Sequence, residues 1–312
     1  MVIIEGEFLK PLTCIMNKKI EVLDADISRN RRLSARRTYV VTTEVHVKEH
    51  ATLTIENGTT ILIKNGLVAD SKLRRAALIF DQGSALRARR VYIKACANDF
   101  KQCKEADNAG VWFLGNFQPA SKDTISVKPQ RKAMRSSFKA DLLATYYLGR
   151  RDPTVHRSRA RAVQDDIDGL SILGVGPAEW SVSEVRSFYS ADDGIDLTNS
   201  HIRLDRLKIQ TPVEDGINLS SSQLEIHQSL KLKVKKTAIP DRDLVDFETD
   251  DGPSFLVLHA RCKLDLNGVF GDQVTLISDD MPVPDTSTDN ETRYKFKGKL
   301  KRPALIYSID QD

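Results

Sequence analysis

The chain has 312 residues, of which 40% are hydrophobic and 29% charged, and its formal net charge is +4. It is long enough to bury a large core, and a net charge this small does not by itself name a nucleic-acid or membrane partner. No run approaches the ~18 apolar residues of a membrane-spanning helix. The N-terminus also lacks a basic stretch followed by a long apolar one. We therefore expect a soluble, cytoplasmic chain, or a secreted one if a leader has been trimmed. Cys14, Cys96, Cys103 and Cys262 have no CxxC spacing. Cys96 and Cys103 are placed to bridge a loop, and the plainer alternative is thiols in a reducing compartment.

In chain order, residues 1–38 hold two apolar runs, Val2-Ile3-Ile4 and Ile20-Glu21-Val22-Leu23, and read as an N-terminal cap or first partial coil. Arg29, Arg31, Arg32, Arg36 and Arg37 follow, as a solvated turn or a phosphate site. Over residues 39–118 short alternating runs recur: Val45/Val47, Leu53/Ile55, Ile61/Ile63 and Leu78/Phe80. The turns Glu56-Asn57-Gly58 and Asp81-Gln82-Gly83 are spaced like one repeat and are expected at matching positions, with glycine where positive φ is needed. Polar residues alternate with the aliphatic ones, so the outer faces of these strands are expected to be wet.

Residues 119–163 break the pattern and carry eleven Lys/Arg against three Asp. Within them begins a stretch, residues 136–149, whose Ser start, Gly stop and i/i+4 spacing of Phe138, Leu142 and Tyr146 predict a short amphipathic helix. The whole segment reads as a basic loop excursion carrying that helix.

The repeat is clearest in residues 164–312. One phrase occurs three times at nearly even spacing: Asp168-Gly169-Leu170-Ser171-Ile172, Asp193-Gly194-Ile195-Asp196-Leu197 and Asp215-Gly216-Ile217-Asn218-Leu219. A period of this length, carried by pairs such as Ile202/Leu204 and Leu207/Ile209, marks a solenoid of strands with one coil per repeat. The pattern weakens after residue 227, resumes at 254–278 and closes in the strands of YKFKGKLKRPALIYSI. Residues 240–312 either continue the solenoid or form a small separate β unit.

The segments ATLTIENGTTILI, ALIFDQGSALRA, NAGVWFLGN, DGLSILGVG and SADDGID, in that order, resemble the β-helix region of secreted bacterial proteins and lipoproteins of the pectin-lyase-like superfamily. The resemblance covers about residues 39–118 and 165–227. It implies an all-β fold, a single-stranded right-handed parallel β-helix, here with a short helical insertion and an N-terminal cap. It implies no particular activity.

Two sets of residues carry candidate chemistry. Stacked in register, Asp168, Asp192, Asp193, Glu214 and Asp215 line one edge on coils about 5 Å apart, where two carboxylates repel by roughly 3 kcal/mol. They must bind a cation, hold a proton, or act as turn residues pointing into water and N–H groups. The cation reading is calcium at Asp168, Asp193, Glu214 and Asp215, with no other cofactor. ADDGIDLTNSHIRLDRLKIQTPVEDGINL also resembles the polygalacturonase-type segment, which implies Asp193 and Asp215 as acid and base with Asp192 beside them. Glu214 departs from that pattern, and its Gly-His-Gly coil is missing. His227 and His259 read as ordinary surface histidines.

The second set is basic. Arg131, Lys132, Arg135, Arg150, Arg151, Arg157, Arg159 and Arg161, interleaved with Phe138, Tyr146 and Tyr147, suit a polyanion or a protein partner. No zinc-finger, RRM or P-loop motif accompanies them. The expectation is a non-catalytic binding or assembly scaffold that meets a protein partner or a second copy. The alternatives are a polysaccharide hydrolase or lyase using Asp193 and Asp215, and a nucleic-acid or polyanion binder.

Overall fold

A strand with alternating apolar residues has one face to bury and two rows of backbone groups to pair, and stacking successive segments in parallel meets both needs. The computed structural model describes residues 18–64, 76–96, 109–117, 134–149, 169–235, 242–249, 251–270, 274–284 and 293–308. It begins with β1 (Lys19–Leu23), β2 (Arg31–Leu33), β3 (Arg37–Val41), β4 (Glu44–Val47), β5 (Thr52–Ile55) and β6 (Thr59–Lys64). β7 (Ala76–Phe80), β8 (Ala85–Ala88), β9 (Arg90–Cys96), β10 (Ala109–Leu114) and β11 (Ser137–Tyr146) follow. Then come β12 (Leu170–Leu173), β13 (Trp180–Phe188), β14 (Asp196–Thr198), β15 (His201–Gln210), β16 (Ile217–Ser220), β17 (Gln223–Lys233) and β18 (Val245–Glu248).

From β4 to β18 the chain passes back and forth between two sheets. β4, β7, β10, β12, β14, β16 and β18 form a 7-stranded sheet, and the strands between them belong to a 16-stranded one. Neighbours in these runs are parallel. Val47, Phe80, Phe113, Ile172, Leu197, Leu219 and Phe247 are successive partners in one column. All but the half-buried Phe247 lie fully in the core. Each such side chain contributes roughly 1.5–3 kcal/mol by burial. Aromatic rings fill part of the interior: Phe80 stacks on Phe113 at 4.9 Å, and Phe138 and Trp180 meet Phe113 edge-on at 5.0 and 5.4 Å.

The long strands bend at a corner. Inward residues run Trp180, Val182, then Val185, Ser187 in β13, and Ile202, Leu204, then Leu207, Ile209 in β15. A step of three between two steps of two switches the inward parity there. β11 follows the same rule with Phe138, Ala140, then Leu143, Thr145. The segment from Ser137 to Tyr146 is thus a strand and not the helix that its spacing predicts. β11 is paired on one side with β8 and β9 and on the other with β13. The parity switch leaves apolar residues at 138, 142, 143 and 146, a set that mimics one helical face.

Two further expectations are corrected. Leu78 and Phe80 pair with Val45 and Val47, whereas Leu53 and Ile55 pair with Leu86 and Ala88. This step along the chain is longer than the spacing of the two glycine turns. The turns at Gly58 and Gly83 therefore occupy different corners, although both glycines have the positive φ (78° and 77°) that their type suggests. The outer faces are also not wet throughout. Val40, Leu62 and Cys96 form one buried cluster separate from the main core, and Ala77, Ile79 and Trp112 another.

Residues in left-handed conformation mark the corners. Tyr147, Tyr189 and Thr211 (φ 59°, 56° and 59°) occupy one column, and Gly174, Asn199 and Ser221 (φ 61°, 47° and 48°) a second. Each donates its N–H to the next repeat: Tyr189 to Gln210 O at 2.9 Å and Thr211 to Lys233 O at 2.8 Å. At the N-terminal end Arg31 and Arg37 both pair with Glu21, and Arg32 pairs with Glu56 at 2.9 Å, so two carboxylates offset part of the charge of this basic turn.

The C-terminal strands are β19 (Ser254–Leu258), β20 (Lys263–Gly268), β21 (Thr275–Ile277), β22 (Tyr294–Lys299) and β23 (Ala304–Ser308). β19 and β20 continue the parallel order on β17, whereas β22 lies antiparallel on β20 and β23 antiparallel on β19. Among the described residues no helix is long and apolar enough to cross a membrane.

Thr211→Gly tests the corner. A β-branched residue in left-handed conformation carries about 1–2 kcal/mol of strain, against roughly 0.5–1 kcal/mol of extra chain entropy for glycine. Denaturant unfolding should find the variant as stable as the parent or slightly more so. Leu197→Ala, in the apolar column, should instead lose about 2–5 kcal/mol.

Candidate functional site

Asp193-Gly194 and Asp215-Gly216 lie where the chain enters strands of the 7-stranded sheet, and the two carboxylates reach across to the next repeat. Asp193 Oδ1 accepts the N–H of Asp215 at 2.7 Å, and Asp215 Oδ1 accepts the N–H of Asp243. The glycines reply: Gly194 N–H donates to Asp215 O at 2.9 Å, and Gly216 N–H to Asp243 O at 2.8 Å. The repeats approach so closely that a Cβ on Gly194 would overlap Gly216 O, and one on Gly216 would overlap Leu244 O. Asp243 is a further member of this column that sequence reading missed, because Leu244 stands where the other repeats have glycine.

Asp192, Asp193 and Glu214 bring carboxylate oxygens within 4.8 Å of one another, with both aspartates buried. Of the proposed calcium ligands, Asp193 and Glu214 are thus brought together. Asp215 has one oxygen engaged with the backbone, and Asp168 lies outside the described residues. Burial, then the charges of Asp246, Asp243 and Glu214, push the Asp215 pKa well above the usual carboxylate range, against the hydrogen bond from Asp243 N–H.

Of the basic set, Arg131, Lys132, Arg150, Arg151, Arg157, Arg159 and Arg161 lie outside the described residues, and Arg135 is exposed just before β11. The aromatic residues assigned to that surface separate. Phe138 is fully buried in the core. Tyr146 stacks on Phe188 at 5.0 Å, with Lys94 over one ring and Lys208 over the other, each 5.1 Å away. Tyr147 stacks on Tyr189 at 5.2 Å. Arg32, Arg87, Arg89 and Lys139 line an open groove of about 630 Å³ that also holds Glu56.

A further cluster is not visible in the sequence. Glu225 on β17 is only 8% exposed, although it lies between the core residues Leu224 and Ile226 and points to the opposite face. Its Oε1 lies 2.7 Å from His201 Nε2, 3.1 Å from Gln223 Nε2 and 3.2 Å from Arg203 Nε. Its Oε2 faces His259 Nε2 at 3.3 Å and His227 Nε2 at 4.0 Å. Burial opposes ionisation of Glu225, yet the hydrogen bonds of His201, His259 and Arg203 outweigh it and hold the pKa at about 2. Neither His227 nor His259 is an isolated surface residue: their rings stack at 3.8 Å.

No family model matches this chain, and no curated protein or solved structure is significantly similar to it.

A carboxyl whose folded pKa lies above its unfolded value is more protonated in the fold, so each rise in pH between the two weakens the fold. The Asp215 contribution should therefore be fully present below about pH 4 and decline as the pH rises above it. Asp215→Asn keeps an oxygen for Asp243 N–H and should flatten that decline in denaturant unfolding at a series of pH values. Identical profiles for parent and variant would show that Asp215 ionises as an ordinary surface carboxylate.

Proposed function

We propose that this chain is a right-handed parallel β-helix serving as a non-catalytic scaffold, whose outer sheet faces meet a protein partner or a second copy. The observation that carries this reading is the employment of Asp193 and Asp215. The two carboxylates that an acid–base pair would use each hold a backbone amide of the next repeat. Passage of the chain between two parallel sheets with continuous apolar columns supports the β-helix. The general right-handedness of parallel crossovers supports its hand.

Two observations favour other readings. The raised pKa of Asp215 beside further carboxylates is what a general acid would need. The groove of Arg32, Arg87, Arg89 and Lys139 offers cations to a polyanion.

The deciding experiment incubates the purified chain with acidic and neutral polysaccharides and follows new reducing ends and unsaturated uronates. No cleavage is expected, and Asp193→Asn should change stability by about 1 kcal/mol or less, as for one hydrogen bond. Cleavage by the parent that disappears in both Asp193→Asn and Asp215→Asn would replace the scaffold by a polysaccharide-cleaving enzyme.

A further inference from the structure

We propose that Glu225, His227 and His259 form a binding site for a divalent transition-metal ion of the Zn²⁺ class, with one coordination position left to solvent. This goes beyond the scaffold reading and does not depend on it. Two imidazole nitrogens and one carboxylate oxygen are a borderline donor set. It suits Zn²⁺, Co²⁺, Ni²⁺ or Cu²⁺, and it does not suit Ca²⁺ or Mg²⁺, which take oxygen ligands.

The spacing fits. With metal–ligand bonds of about 2.0–2.2 Å, tetrahedral donors stand about 3.3–3.6 Å apart. Glu225 Oε2 is 3.3 Å from His259 Nε2 and 4.0 Å from His227 Nε2, and the three residues each offer a donor atom within 4.8 Å of the others. The two imidazoles, whose side chains are both 39% exposed, have to turn out of their stacked arrangement for both to hold one ion. The same exposure gives an ion a path in and leaves the fourth position to water.

The backbone prearranges these donors. Ile226 pairs with Leu258 across β17 and β19, and His259 N–H donates to Ile226 O at 2.9 Å, which brings His227 and His259 side by side. Their rings are stacked with an interplanar angle of 18°, and both Nε2 atoms face the same carboxylate oxygen. The other oxygen of Glu225 is held by His201, Gln223 and Arg203. Those three act as orienting partners one step out from the ligands, as hydrogen-bonded carboxylates in metal sites commonly require. Arg203 sets a positive charge on that other oxygen, which makes the site weaker than a purely structural one.

The test is calorimetric titration of the untagged full chain with Zn²⁺, together with Co²⁺ absorption. One equivalent should bind per chain, with the visible bands of a nitrogen- and oxygen-ligated Co²⁺ and no intense near-ultraviolet thiolate band. His227→Ala and His259→Ala should each weaken binding by at least about 10–100-fold, while His50→Ala, at an exposed position elsewhere, should leave it unchanged. His227→Gln and Glu225→Gln, checked by circular dichroism and melting, repeat the comparison with near-isosteric side chains. Absence of a one-equivalent event would overturn the proposal. So would binding unaltered in both histidine variants, or a Co²⁺ spectrum of the thiolate type.

Discussion

Lateral register between parallel strands is the constraint on which everything else in this molecule rests. Slipping one strand by a single residue would turn its whole apolar set outward, and a column such as Phe113, Ile172, Leu197 and Leu219 would cease to exist. Apolar burial alone does not choose between registers that keep the same parity, so the choice falls to polar groups at the corners. The left-handed residues pass their N–H groups up the stack at fixed positions. A serine column does the same on buried ground: Ser200 N–H donates to Ser222 Oγ at 2.9 Å and Ser222 N–H to Ser254 Oγ at 3.1 Å. A register error would leave each of these donors unpaired in the interior, at about 1–3 kcal/mol apiece.

The same constraint explains what could be read from the sequence. Where the motifs begin at Asp168, Asp193 and Asp215, Ile172, Leu197 and Leu219 fall into alignment by eye, and the structure pairs them so. Earlier in the chain the step is longer, as from Val45 to Leu78, and two turns that both contain glycine look equivalent although they sit at different corners. Turn chemistry reports a local φ and says nothing about which corner it serves. The parity switch in β11 has a similar effect. A strand that folds round a corner shows apolar residues on both parities, and Leu142 next to Leu143 is enough to turn a period of two into something that passes for 3.6.

The candidate sites divide in the same way. The acidic column was legible because its members share a motif, but its use was not: whether a carboxylate faces solvent or a neighbouring amide depends on how closely the repeats approach, which Gly194 and Gly216 set. Asp243 escaped because the motif is broken at Leu244. The histidine cluster carried no motif at all, since His201, Glu225, His227 and His259 come from three different strands or their ends. Only the register makes it visible. The step that carries Leu224 onto Leu256 also carries His227 onto His259.

The reversed strands at the C-terminal end bear on assembly. Stacked parallel strands present like surfaces at their two ends, and like surfaces can join head to tail into an endless filament. Here β22 and β23 run against the direction of β20 and β19, so this edge of the 16-stranded sheet no longer matches the pattern that an incoming parallel strand would need. Beyond β23 lies the short strand β21, which offers little for another chain to extend, while the longer β22 lies outermost on β20. The reversal thus blunts head-to-tail growth along one sheet only, since β18 leaves the edge of the 7-stranded sheet in parallel order.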